Sequence, residues 1–195
     1  ANGIAPEIAE HIYGTMMDFA KYAFNKSHAA CYAVVAYQTA YLKYYYPVEF
    51  MAALMTSVID NPGKVSEYIY SCRQMGIKIL PPDINKGEGS FSVDGGNIRY
   101  GLAAIKSIGK PVIESIIQER KNGGEFSNLK DFIERLSGKE VNKRTIESFI
   151  KSGAFDSLGG TRKQFMVVYV QILDQVNRER KYSMTGQLSL FDIVS

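Results

Sequence analysis

The chain has 195 residues, 46% hydrophobic and 22% charged, a globular composition that excludes disorder and allows one good core or two small ones. Its most apolar run, residues 29–42, is broken by Gln38 and Thr39 and too short to span a bilayer; with no charged-then-apolar leader, a soluble cytoplasmic protein with no membrane partner is expected. A net charge of +3, from 23 Lys and Arg against 20 Asp and Glu, is too slight to indicate nucleic acid by itself.

Residues 1–58 read as helical throughout. Small residues at Ala29, Ala33, Ala36 and Ala40 would let another helix approach closely, which predicts a packed helical layer. The first residue, Ala1, is not an initiating Met and leads directly into this pattern, so an excised piece of a longer chain is expected. Pro47 ends one helix at or before Tyr46 and fits the first turn of the next, residues 48–58, where its missing N–H has no partner to lose. A further helix follows, with Asn61 as N-cap, Pro62 in its first position and Gly76 as a left-handed stop after Met75. The two cysteines, Cys31 and Cys72, lack metal-ligand or disulfide-framework spacing and are expected as reduced thiols in or near a core.

From Ile77 to Asn97 the period changes. The turn Asp94-Gly95-Gly96-Asn97 between Phe91-Ser92-Val93 and Ile98-Arg99-Tyr100 predicts a small β-hairpin. Beyond Gly101 short helices return, one of them over residues 129–136. A long helix from Arg162 to about Arg180 carries Phe165, Val168, Tyr169, Ile172, Leu173 and Val176 at helical spacing behind an N-capping Thr161. The pattern fades from Tyr182 to Gly186 into a flexible linker. The expected fold is mainly α: a helical segment over 1–76, a β-hairpin junction over 77–100, a helical domain over 101–181 and a flexible tail over 182–195.

Basic residues gather at Lys106 and Lys110, at Lys139, Lys143 and Arg144, at Arg162 and Lys163, and at Arg178, Arg180 and Lys181. The first pair flanks Ser107, Ile108 and Gly109 within Leu102 to Glu114, a stretch with the grammar of a helix-hairpin-helix DNA-binding unit. Gly109 is expected to turn the backbone with positive φ, and Pro111 starts a helix whose first N–H groups point at one phosphate. Such a contact holds double-stranded DNA without reading its sequence. A second unit follows, in which Lys143 and Arg144 open a capped helix, Gly153 supplies the turn and Arg162 begins the long helix. A tandem pair would grip both strands of a duplex. The second turn departs from the usual small-residue pattern by carrying Phe155.

The tail segment Gln187-Leu188-Ser189-Leu190-Phe191 resembles the pentapeptide by which bacterial DNA polymerases and repair proteins dock on the ring-shaped sliding clamp. The resemblance implies Leu188, Leu190 and Phe191 as apolar contacts and Gln187 as the polar residue that fixes register.

A wider resemblance covers nearly the whole chain. Residues 19–33, containing Asn25-Lys26-Ser27-His28, are similar to the fingers of the bacterial replicative DNA polymerase III alpha-subunit family, as are Ala36-Tyr37-Gln38-Thr39-Ala40-Tyr41-Leu42-Lys43 and Pro47-Val48-Glu49-Phe50-Met51-Ala52-Ala53-Leu54. The similarity continues through Leu80-Pro81-Pro82-Asp83-Ile84-Asn85, Tyr100-Gly101-Leu102-Ala103-Ala104-Ile105-Lys106 and Ser152-Gly153-Ala154-Phe155-Asp156. It implies that Asn25, Lys26, Ser27 and His28 meet an incoming nucleotide, and that the intact protein is a DNA-directed DNA polymerase using Mg²⁺ alongside other replisome subunits.

Nucleotidyl transfer needs clustered carboxylates for two metal ions, whereas the acids here are scattered, as at Asp18, Asp60, Asp83 and Asp174. The chain is therefore expected to lack the catalytic palm, to hold no cofactor or metal, and to carry no catalytic residue. The alternatives are a helix-hairpin-helix repair or recombination protein with a clamp-binding tail, which lacks the Asn25-Lys26-Ser27-His28 block, and a purely structural helical domain with no affinity for DNA.

Overall fold

The structure, a computed structural model, describes residues 3–21, 26–136, 138 and 141–192; the side chains of Lys21 and of residues 183–192 lie outside that description. Two compact units divide the chain, Ala1–Tyr46 and Pro47–Ser195.

The first unit contains α1 (Pro6–Lys21) and α2 (Lys26–Tyr45). The expected packed layer is not formed: α2 has no buried residue, and Ile8, Ile12 and Met16 on α1 are exposed. Local propensity suffices to make a helix, but burial needs a partner surface, and within the described residues of this unit none covers α2. Tyr37, Tyr41 and Tyr45, spaced four residues apart, instead lean on one another, with ring centroids 6.3 and 4.5 Å apart. Cys31 is likewise exposed, contrary to the expected near-core position, whereas Cys72 is buried and its thiol pKa is pushed up by that burial.

The second unit begins with α3 (Pro47–Ser57) and α4 (Pro62–Gln74). Its caps follow the sequence. Asn61 Oδ1 accepts from the Lys64 N–H at 3.1 Å, Pro62 occupies the first turn, and Gly76 takes φ 75° just past the end. Three short strands follow, β1 (Ile79–Leu80), β2 (Ser92–Asp94) and β3 (Asn97–Arg99), in the order β1-β3-β2. β2 and β3 form the expected hairpin, in register Ser92 to Arg99 and Asp94 to Asn97, and β1 runs parallel to β3. Gly95 and Gly96 have φ 58° and 78°, the two positive values that a tight two-residue hairpin turn requires. Met51, Met55, Val65, Cys72, Ile77, Phe91 and Ile98 share one core, so residues 47–76 pack with the hairpin.

The remaining elements are a 3-10 turn at Leu102–Ala104, α5 (Lys110–Gly123), α6 (Leu129–Leu136), α7 (Lys143–Ser152), a 3-10 turn at Asp156–Leu158, and α8 (Arg162–Asp192). They enclose a second core rich in aromatic rings. Phe132 meets Phe126, Phe155 and Phe149 edge-on at centroid distances of 5.1, 4.9 and 6.1 Å, and Phe165 of α8 completes the cluster against Phe155 at 6.3 Å. Each such ring removed from water contributes about 1.5–3 kcal/mol, with edge-to-face geometry adding to it. Tyr169, Leu173 and Val176 extend the buried stripe of α8 as their spacing predicts, while Val168 and Ile172 are only half-buried. The α8 backbone continues past the expected end near Arg180 to Asp192, since no proline interrupts it.

A strap over residues 83–87 ties this core together. The Ile84 N–H donates to Ala154 O at 2.9 Å, and the Asn85 amide clasps Phe126 by accepting from its N–H at 2.8 Å and donating to its carbonyl at 2.9 Å. Arg120 of α5 reaches back to the carbonyls of Ile84 and Gly87 at 3.2 and 2.8 Å. The Leu80-to-Asn85 segment thus holds α5, α6 and the turn after α7 in fixed relation.

Candidate nucleic-acid interface

The first hairpin is built around a close backbone approach. A Cβ on Gly101 would meet Ser90 C, Gly89 O and Phe91 N at 2.7, 2.8 and 2.9 Å, so only glycine lets this strand end lie against residues 89–91. The 3-10 turn follows at once, in place of the short α-helix the sequence suggests, because Leu102 and Ala103 donate their N–H groups to Glu88 and Gly89 at 2.9 and 3.0 Å.

The turn itself differs from expectation. Gly109 has φ −83° and ψ 153°, an extended residue at the N-cap of α5; the left-handed conformation belongs to Ser107, at φ 70°. Ser107 is the one non-glycine residue with positive φ among the described residues. Within the chain nothing crowds Gly109, whose added Cβ would meet only Pro111 Cδ at 3.6 Å. No side-chain hydrogen bond caps α5, and Pro111 sits in its first turn. Ile108 faces the second core and anchors the loop. Lys106 and Lys110 are exposed and have no ion-pair partner among the described residues.

Tertiary structure brings Arg144 to this turn. Its Nη2 donates to Ser107 Oγ at 3.2 Å, across 37 positions of sequence. Arg144 is placed there by the start of α7, where Asn142 Oδ1 accepts from the Thr145 N–H at 3.1 Å. Its neighbour Lys143 is engaged with Asp174 of α8 at 3.3 Å.

The second hairpin is closed internally. Gly153 takes the left-handed φ of 87°, and Phe155 is fully buried in the aromatic core. Arg162 holds Asp156 through a two-pronged ion pair, with Nε to Oδ1 at 2.9 Å, and donates from Nη1 to Lys151 O at 3.5 Å. Hydrogen bonding from Arg162 holds the Asp156 carboxyl below its ordinary range. The Arg162 guanidinium packs over Gly153, where a Cβ would collide with it.

Lys26, Ser27 and His28 form the exposed first turn of α2, with the His28 ring 4.4 Å from that of Tyr32, while Asn25 lies outside the described residues. The backbone of Gln187, Leu188, Leu190 and Phe191 belongs to α8, and their side chains lie outside the description. Among the described residues no three His, Cys, Asp or Glu side chains cluster as metal ligands, and no helix is long and apolar enough to cross a membrane. Spacing alone gives no sign of the Arg144–Ser107 contact, nor of a cleft of about 540 Å³ bounded by Tyr100, Lys106 and α7.

Residues 76–165 match the family model described as a helix-hairpin-helix motif. The DNA polymerase III subunit alpha of Escherichia coli K12 is 46% identical to the chain over 195 residues, covering 100% of it and 17% of the relative. The protein of the same name from Mycobacterium tuberculosis H37Rv is 44% identical over 191 residues, covering 98% of the chain and 16% of the relative. That of Vibrio cholerae is 44% identical over 195 residues. The chain therefore spans only 16% or 17% of the length of these relatives, and along that span it belongs to the DNA polymerase III alpha-subunit family.

Proposed function

We propose that the chain is the part of a DNA-directed DNA polymerase that holds duplex DNA and tethers the enzyme to a sliding clamp, while catalysis is performed by residues outside it. The observation that carries this reading is the 44% to 46% identity with DNA polymerase III alpha subunits over 98% to 100% of the chain. It weighs against a separate repair or recombination protein. The exposed first turn favours DNA contact over a purely structural role, because Lys106, Lys110, Arg144 and the uncapped start of α5 concentrate positive potential on one loop.

Phosphate contact in this reading runs through Lys106, Ser107, Ile108, Gly109 and Lys110, with Arg144 beside them, and is independent of base sequence. The turn at Gly153 has a lesser part, since Arg162 is occupied by Asp156. Lys26, Ser27 and His28, with Asn25, face the incoming nucleotide in the intact enzyme, and Gln187, Leu188, Leu190 and Phe191 engage the clamp. Mg²⁺ belongs to the intact polymerase. The described carboxylates do not fit it, so no step of metal chemistry is assigned to this chain.

Primer extension tests the division of labour. With primed DNA, nucleotides and Mg²⁺, the chain alone should extend nothing, whereas the full-length polypeptide containing it should, and Lys26→Ala with His28→Ala in that polypeptide should raise KM for nucleotide. Incorporation by the isolated chain, free of host polymerase, would refute the reading.

A further inference from the structure

Beside the first turn lies a cleft of about 540 Å³, formed where Tyr100, the 3-10 turn and Lys106–Ser107 face α7. Its volume falls within the range of small-ligand sites, about 300–1,000 Å³, and is ample for a single nucleotide. Resting on the DNA-binding reading above, we infer that this cleft receives one unpaired nucleotide of a DNA strand whose adjoining duplex lies on the turn. Its phosphate would rest at Lys106 and Ser107, and its base against Tyr100.

Several features favour that occupant. No lining residue is acidic, and two are lysines, Lys106 and Lys151, so the cleft suits an anion; Lys151 also pairs with Glu147 at the rim. The walls combine apolar surface from Pro82 and Tyr100 with the hydroxyls of Ser107 and Ser148, the mixture that a heterocycle with a sugar-phosphate requires. Tyr100 is held in place. Its N–H donates to Leu80 O at 3.0 Å, and its ring stands edge-on to Phe91 at 5.0 Å. The strained Ser107, at φ 70°, joins cleft to turn: it lines the former and accepts from Arg144. A nucleotide entering there would have its phosphate beside the same lysine that flanks the duplex site.

The test compares a blunt DNA hairpin with the same hairpin carrying three unpaired nucleotides, one of them 2-aminopurine, each titrated with the full chain. The overhang should raise affinity about five- to tenfold, as one base stacked on an aromatic ring provides, and should change 2-aminopurine fluorescence. Ser148→Phe, which fills the cleft from the face of α7, should abolish that gain while leaving blunt-hairpin binding unchanged; Tyr100→Ala, checked for an unchanged thermal melt, should do the same. Equal affinity for both hairpins would overturn the inference while leaving the duplex reading intact, whereas failure of both to bind would overturn the two together. Displacement of the overhang by micromolar dAMP would assign the cleft to a free nucleotide and overturn the strand assignment.

Discussion

The Arg144 guanidinium donates to the Ser107 hydroxyl at 3.2 Å, joining the start of α7 to the one left-handed non-glycine residue described in the chain. The contact makes a single basic surface out of two sequence clusters. It also gives a use to a conformation that costs an L-residue about 1–2 kcal/mol relative to glycine. Replacing Ser107 by Val, whose branched Cβ tolerates positive φ least, should destabilise the fold by about 1–2 kcal/mol in urea melts. Ser107→Gly should relieve the cost of positive φ, offset by about 0.5–1 kcal/mol of added glycine backbone entropy, and should remove the hydroxyl that accepts from Arg144.

Lys106 and Lys110 have no ion partner among the described residues, so their effect should appear in binding. Changing both to Glu should weaken duplex affinity and reduce the slope of log K against log salt by roughly 2, if each neutralises one phosphate. Fluorescence anisotropy across a salt series would show it, and an unchanged isotherm would move the DNA site elsewhere.

The Asp156–Arg162 pair predicts a pH response of definite sign. The folded-state pKa of Asp156 lies below its ordinary value of 3.8, so the pair's contribution is complete above that value and is lost as pH falls through the depressed folded pKa. Both side chains are about half exposed, which limits the effect to under about 1 kcal/mol. Acid titration of stability should lose this component in Asp156→Asn, measured by urea melts between pH 5 and pH 2 as an order-of-magnitude window.

Gly101→Ala should be among the most damaging single methyl additions, because the new Cβ meets backbone atoms that cannot rotate aside. Overpacking of this kind costs typically about 1–3 kcal/mol and can exceed that. Thermal melting would register the loss, and the first hairpin should lose DNA affinity with it. A neutral result would mean that residues 89–91 and the strand end separate readily.

The clamp proposal predicts that Leu190→Ala with Phe191→Ala abolishes clamp binding and leaves the melting temperature unchanged. Leu190 and Phe191 buried at about 1.5–3 kcal/mol each give roughly 3–6 kcal/mol; Leu188 and hydrogen bonds add to that and ordering the segment subtracts, leaving about micromolar affinity. A peptide of residues 185–195 should compete with the full chain. Loss of stability in the double variant would place these side chains in the fold instead.

Much of the local structure was legible in sequence because its determinants are local. Asn61 and Pro62 set the start of α4, Gly95 and Gly96 meet the φ demands of the hairpin, and the 3.6-residue stripe from Phe165 to Val176 orients α8. The family was legible too, since its marker segments are contiguous along nearly the whole chain. Tertiary structure decided what periodicity cannot encode. Whether the alanines of α2 are buried depends on a partner surface, and α2 has no buried residue among those described. Which residue of the first turn adopts positive φ depends on how Ile108 is anchored in the core and where Gly109 must begin α5, and the strain therefore falls on Ser107. Arg162, one of several basic residues in sequence, is engaged by Asp156, whereas Lys106 and Lys110 have no ion partner among the described residues; that distinction follows from the distances at which the folded chain sets its charges.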